Sequence, residues 1–216
     1  MARKYELKER ARRQDGTRQR ITAAAVELHG TVGPARTTIS AVAERAGVQR
    51  LTVYRHFPTE DDLLAACSGH WQQQHPAPDP VTWMEITDAE ERARAALSAL
   101  YAYYDAGEAM IANSLRDVDE VPPLGGLIAD FARYLGAIAD GLAQAFGARG
   151  RARSRLRAAA GHAVSFTTWR SLVREQGLGD RDAVDLMVTV LSCVSPDRAR
   201  TSVSGASPAG HRRKAP

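Results

Sequence analysis

Apolar residues recur every three or four positions along most of the chain, and nowhere do they alternate over the length of a strand. Ile21, Ala24, Ala25 and Leu28 share one face of a first helix over Thr17 to His29, which Gly30 stops. Gly33 and Pro34 mark a loop. Thr38 starts a short helix with Ile39, Val42, Ala43 and Ala46 on one side, and Gly47 ends it. A second short helix runs from Gln49 to about Arg55 and breaks at Phe57-Pro58. Thr59, with Asp62 three residues on, caps a fourth helix that carries Leu63, Leu64, Ala66 and Cys67 to about Gln74.

Pro76, Pro78 and Pro80 then alternate with other residues, so the pattern predicts a stiff extended linker. Beyond it, Thr87 with Glu90 reads as a capping box for a helix over 88–105, and a shorter helix is expected over 108–116. Val121-Pro122-Pro123-Leu124-Gly125 reads as an interruption. Leu127 to Phe146, Arg151 to Gln176 and Asp180 to about Val194 read as three further helices. The expected fold is all-α with about nine helices. Its parts are a basic flexible arm (1–16), an N-terminal three-helix helix-turn-helix domain (17–74), a Pro-rich linker (75–86), a C-terminal helical domain (87–195) and a disordered basic tail (196–216).

Composition changes this picture through charge. The net charge is +4. Residues 1–70 hold 12 basic and 8 acidic groups, net +4; residues 71–197 hold 12 and 17, net −5; residues 198–216 hold five basic groups and no acid, net +5. A basic head on an acidic body suits a polyanionic partner. Arg3, Lys4, Lys8, Arg10, Arg12 and Arg13 crowd the arm, which is either an inert solvated tail or a reach toward DNA. No apolar run spans a membrane and no apolar leader follows the start, so a cytoplasmic protein is expected. Cys67 and Cys193 are far apart and read as reduced thiols. The chain has no His-Glu-x-x-His, no Gly-rich phosphate loop and no Gly-x-Ser-x-Gly. The reading therefore assigns no catalytic residue, no metal site and no cofactor, and the protein is expected not to be an enzyme.

The stretch Thr37 to Phe57 carries the functional information. Two short helices meet at Gly47, whose freedom suits a tight turn. The second presents Gln49, Arg50, Leu51, Thr52, Tyr54, Arg55 and His56, donors and small apolar groups without an acid. Such a face fits the major groove. Ala46-Gly47-Val48, Thr52-Val53-Tyr54-Arg55-His56-Phe57 and Pro58-Thr59 together resemble the TetR-type (TetR/AcrR) family of transcriptional regulators over about residues 17–68.

That resemblance implies a sequence-specific, ligand-responsive repressor acting as a homodimer on a palindromic double-stranded operator. It implies phosphate contacts from Thr52, Tyr54, His56 and Thr38, and base contacts from Gln49, Arg50 and Leu51. Three positions depart from the pattern. Gln49 and Leu51 stand where Ser and Gly are common, and Glu60 stands where a phosphate-binding Lys is common. Arg12 and Arg13 of the arm are expected to supplement the grip. An architectural DNA-binding protein without a ligand remains the alternative. For the small-molecule inducer, inward-pointing candidates are Tyr101, Tyr104, Met110, Asn113, Phe131, Tyr134, His162 and Phe166. For the dimer interface, Trp169, Val173, Met187, Val188 and Leu191 lie on helices apolar on more than one side.

Overall fold

A computed structural model describes residues 2–195, and the tail expected over 196–216 lies outside them. Among the described residues there are ten α-helices and no strand. They run α1 (Ala2–Thr31), α2 (Ile39–Ala46), α3 (Arg50–His56), α4 (Glu60–Gln74), α5 (Val81–Met84), α6 (Ala89–Asp117), α7 (Pro122–Ala145), α8 (Gly150–Ala163), α9 (Phe166–Arg170) and α10 (Asp180–Val194). A 3-10 turn at Pro34–Arg36 precedes α2, and a π-helical turn at Ser171–Glu175 follows α9. Among the described residues the helices form two compact units, 2–78 with 103–132, and 79–102 with 133–195, so α6 and α7 each contribute to both.

Several boundaries follow local chemistry that periodicity alone misplaced. Helix α1 begins at Ala2, not Thr17, so the arm is drawn as a continuation of the first helix. Thr38 and Gln49 stand just outside α2 and α3 as their N-caps. Within the expected linker, Val81–Met84 makes one helical turn with Trp83 buried. The cap before α6 is Asp88, whose carboxylate accepts the Glu91 N–H at 2.8 Å. The Glu90 carboxylate is instead engaged by the Ser192 hydroxyl at 2.7 Å. The helices expected over 88–105 and 108–116 are one, because Gly107 passes tightly against the Trp71 ring and does not end it. Pro122 and Pro123 open α7, where no N–H is needed. The helix expected over 151–176 is broken at Val164, and Ser165 caps a new one by accepting from the Thr168 N–H.

The first unit is built on Ile21, Ala25, Val42, Val53, Phe57, Leu63 and Cys67, all buried, with Leu124 of α7 joining them. In the second, Leu97, Leu100, Tyr101, Leu142, Leu156, Trp169 and Leu191 are fully buried. The Tyr101 hydroxyl donates to the Ala163 carbonyl at 3.0 Å, and the Trp169 indole N–H to Asp180 at 3.2 Å. Arg94 pairs with Asp185 and Arg157 with Asp140.

Candidate nucleic-acid interface and internal cavity

Helices α2 and α3 meet at Gly47, which adopts the left-handed conformation (φ 65°) and donates its N–H to the carbonyls of Ala43 and Glu44. The turn lets α3 bury Val53 and drop Phe57 into the core. Everything else on α3 is displayed. Gln49, Arg50, Leu51, Tyr54 and Arg55 are exposed, and Thr52 and His56 are half-buried. Leu51 keeps 78% of its surface in water, so packing does not explain it. At the start of α2, the Thr38 hydroxyl oxygen accepts from the Ala41 N–H at 3.1 Å, which leaves its O–H able to donate outward.

The end of α3 is held by Arg18. Its guanidinium donates to the His56 carbonyl at 2.7 Å and lies 4.1 Å over the Phe57 ring. A cation at a helix C-terminus complements the helix dipole. Burial first, then the charges of Arg55 and Arg18, push the His56 imidazole below its ordinary pKa, so it is neutral near pH 7. Beside it, Arg10, Arg13, Gln14 and Thr17 of α1 line a shallow cleft together with Arg55 and His56. Arg12 is not among these; it pairs with Glu9 at 3.3 Å. Glu60, Asp61 and Asp62 fill the first turn of α4, where acids suit the helix N-terminus.

Three residues near the end of α6 bind the end of α1. The last carbonyls of a helix lack partners within it. Here the Asn113 amide donates to the His29 and Gly30 carbonyls, each at 3.0 Å, and Arg116 donates to the Val32 carbonyl at 3.0 Å. Asp117 accepts the Ala35 N–H at 3.0 Å and is itself gripped by Arg116 at 2.7 Å. The hydrogen bonds from Arg116 and Ala35 hold its carboxyl below the usual range against the opposing effect of burial. Gly33 (φ 96°) sits under this clasp; a Cβ there would overlap the Arg116 and Asp117 side chains. The clasp therefore fixes the turn that leads into α2.

The same stretch of α6 walls a cavity of about 120 Å³. Met110, Ile111, Ser114 and Leu115 line it from α6, with Cys67 and Trp71 from α4, Phe131 from α7 and His29 from α1. The Cys67 sulfur is 3.2 Å from His29 Nδ1, and the thiol donates to the Leu64 carbonyl at 3.1 Å. Burial pushes the thiol up to about 12 and the imidazole down to about 4.

Residues 21–67 match the model of the bacterial regulatory proteins of the tetR family. Over these residues the chain is similar to that family. Its fold is that of solved regulators at low identity. A TetR-like transcriptional regulator from a Rhodococcus species is 16% identical, with a TM-score of 0.59 over 88% of this chain and 97% of that one. A TetR transcription regulator from Haloarcula marismortui is 16% identical, with a TM-score of 0.52 over 84% and 97%. The fatty acid degradation regulator FadR from Bacillus halodurans is also 16% identical, with a TM-score of 0.52 over 81% and 93%. No curated protein matches the chain.

The candidate residues fall unevenly. Arg50, Leu51, Thr52, Tyr54, Arg55 and His56 sit on α3, Gln49 caps it, and Thr38 caps α2. Arg13 stands beside the end of α3 and Arg12 does not; Arg10, one turn before Arg13, takes the second place. Of the eight ligand candidates, Met110 and Phe131 line the cavity. Asn113 is committed to the clasp. Tyr101 is committed to Ala163. Tyr104 is buried beside Tyr103, Phe166 is buried against Trp169, and Tyr134 is half-buried. His162 is exposed and meets the Thr168 hydroxyl at 3.2 Å. Cys67, Trp71 and Tyr103 were not singled out for the cavity, because helical spacing reads each as ordinary core. Of the five interface candidates, Trp169, Met187, Val188 and Leu191 are buried within the chain, and Val173 is half-buried. A helix apolar on two sides can spend both on its own core. The apolar groups that α10 leaves in water are Leu186 and Val190.

Proposed function

We propose that the protein is a cytoplasmic repressor that binds a palindromic operator as a homodimer and releases it when a small molecule occupies the cavity. The observation that carries this reading is the outward face of α3, which is free of acids and leaves an apolar Leu51 exposed where the groove would receive it. Gln49 and Arg50 supply donors for base edges, and Leu51 suits a thymine methyl. In this reading Thr38, Thr52, Tyr54, Arg55 and His56 meet phosphates and set register. The cleft of Arg10, Arg13, Thr17 and His56 adds a further phosphate site from α1.

The clasp supports a route for the response. On two turns of α6, Met110 and Ser114 face the cavity while Asn113, Arg116 and Asp117 hold the end of α1 and the turn before α2. A guest that shifts α6 therefore acts on the segment that sets α2 and α3, in proportion to its differential affinity for the two states. A second copy of the chain is the fitting partner for the exposed Leu186 and Val190, since specific recognition needs two half-sites.

Selection of bound DNA from a random pool by the full-length protein tests the reading. The expected result is one inverted repeat with half-sites about one helical turn or a multiple apart. In a gel-shift titration that repeat saturates sharply. Enrichment of no sequence, with coating that grows with DNA length, would instead fit an architectural protein.

A further inference from the structure

The lining of the cavity narrows what it can hold. Trp71 and Tyr103 meet edge to face with ring centres 6.1 Å apart, and Tyr103 and Phe131 tilt together at 5.9 Å. These rings line the cavity together with aliphatic residues of α6 and α7 and with Cys67 and Met110. The hydrogen-bonding groups of the lining residues include the Ser68 and Ser114 hydroxyls, the Gln72 amide, the Tyr103 phenol, the Trp71 indole N–H and the His29 imidazole.

Among the described residues, the lining includes no Asp, Glu, Lys or Arg. Its titratable members are all neutral at pH 7. Burial holds His29 near 4 and pushes Cys67 and Tyr103 each up to about 12. With the Cys67 thiol donating to Leu64, its contact with His29 is satisfied when the ring carries its proton on Nδ1, which leaves Nε2 as an acceptor. The Arg116–Asp117 pair on the same helix is closed on itself and on the end of α1. An ion entering the cavity would lose its hydration and meet no opposite charge. The free space of about 120 Å³ is close to the roughly 150 Å³ that suffices for a benzene ring in an apolar cavity.

We propose that this cavity takes an uncharged molecule of about one aromatic ring, bearing a single hydroxyl or similar neutral polar group. The proposal rests on the cavity being the sensing site. It is tested by calorimetric titration of the full chain at pH 7 with benzyl alcohol, benzoate and benzylammonium, which share a ring and differ in charge. Benzyl alcohol is expected to bind saturably at one per chain, and each ion at least about tenfold more weakly. Ser114→Phe, which fills the cavity, should abolish that binding without lowering the thermal unfolding midpoint. Ile128→Phe on α7 serves as a second filling variant if the first does not fold.

Equal or tighter binding of either ion overturns the ligand class while leaving the sensing role standing. Failure of all three probes, or alcohol binding that survives both filling variants, overturns the assignment of this cavity as the sensing site as well.

Discussion

At the residue scale, His29 ties the cavity to stability through its protonation. It is buried at the end of α1, and desolvation outweighs the pull of the Asp117 carboxylate, so its pKa falls from 6.5 to about 4. The unfolded chain binds a proton at this site below about pH 6.5, and the folded chain only below about 4. The stability His29 contributes is therefore present above pH 6.5 and is lost as pH falls toward 4. The gap corresponds to ~3 kcal/mol. Asp117 works in a different window. Its pKa is held below 3.8, so its contribution is full above that value and is lost only at lower pH. Urea unfolding followed from pH 7 to pH 4.5 should show stability declining in the native chain. In His29→Gln the slope between pH 6.5 and 4.5 should be markedly flatter, and an unchanged slope would remove His29 as its source.

At the scale of single helices, α1 carries the next expectation. Arg10 and Arg13 stand three residues apart on the face that reaches the end of α3, while Arg12 is turned to Glu9. Each phosphate contact adds about 0.9 to the salt slope of DNA binding. The double variant Arg10→Ala, Arg13→Ala should lower that slope by roughly 2, and Arg12→Ala should leave it unchanged. Fluorescence anisotropy on one operator over a range of salt concentrations reads both. Equal slopes for the two variants would sink the assignment. This helix also shows what the sequence made legible. The turn at Gly47, the Thr59–Asp62 cap and the outward set on α3 were readable, because each depends on residues a few positions apart. The start of α1 was not, since its first half has no apolar face to reveal a period. The unbroken α6 was hidden by Gly107, whose role depends on Trp71 more than thirty positions away. Little of the cavity was legible, for the same reason. Met110 and Phe131 are among the candidates that line it, but Tyr103 joins Cys67 and Trp71 only once α6 packs on α4.

At the scale of the whole molecule, the proposed homodimer needs a face for its second copy, and α10 separates two versions of where that face lies. Periodicity favoured Met187, Val188 and Leu191, yet these are 7%, 2% and 0% exposed within a single chain and already serve its core. Leu186 and Val190, one turn apart, are 41% and 37% exposed, and Cys193 continues the same stripe. An apolar stripe on the last helix gains by being covered, and a two-fold dimer covers it with its own copy. Introducing charge should therefore act differently at the two sets. Leu186→Glu with Val190→Glu should leave the unfolding midpoint of the chain nearly unchanged but convert a dimer to a monomer in light scattering. Its affinity for the full palindrome should fall by roughly 100-fold or more as the two heads are no longer linked, while affinity for an isolated half-site should persist. Leu191→Ala should instead cost about 2–5 kcal/mol of stability through the cavity it leaves. If the double glutamate variant remains a dimer, the interface lies elsewhere on the chain, and α10 serves only the core that Leu191 helps to fill.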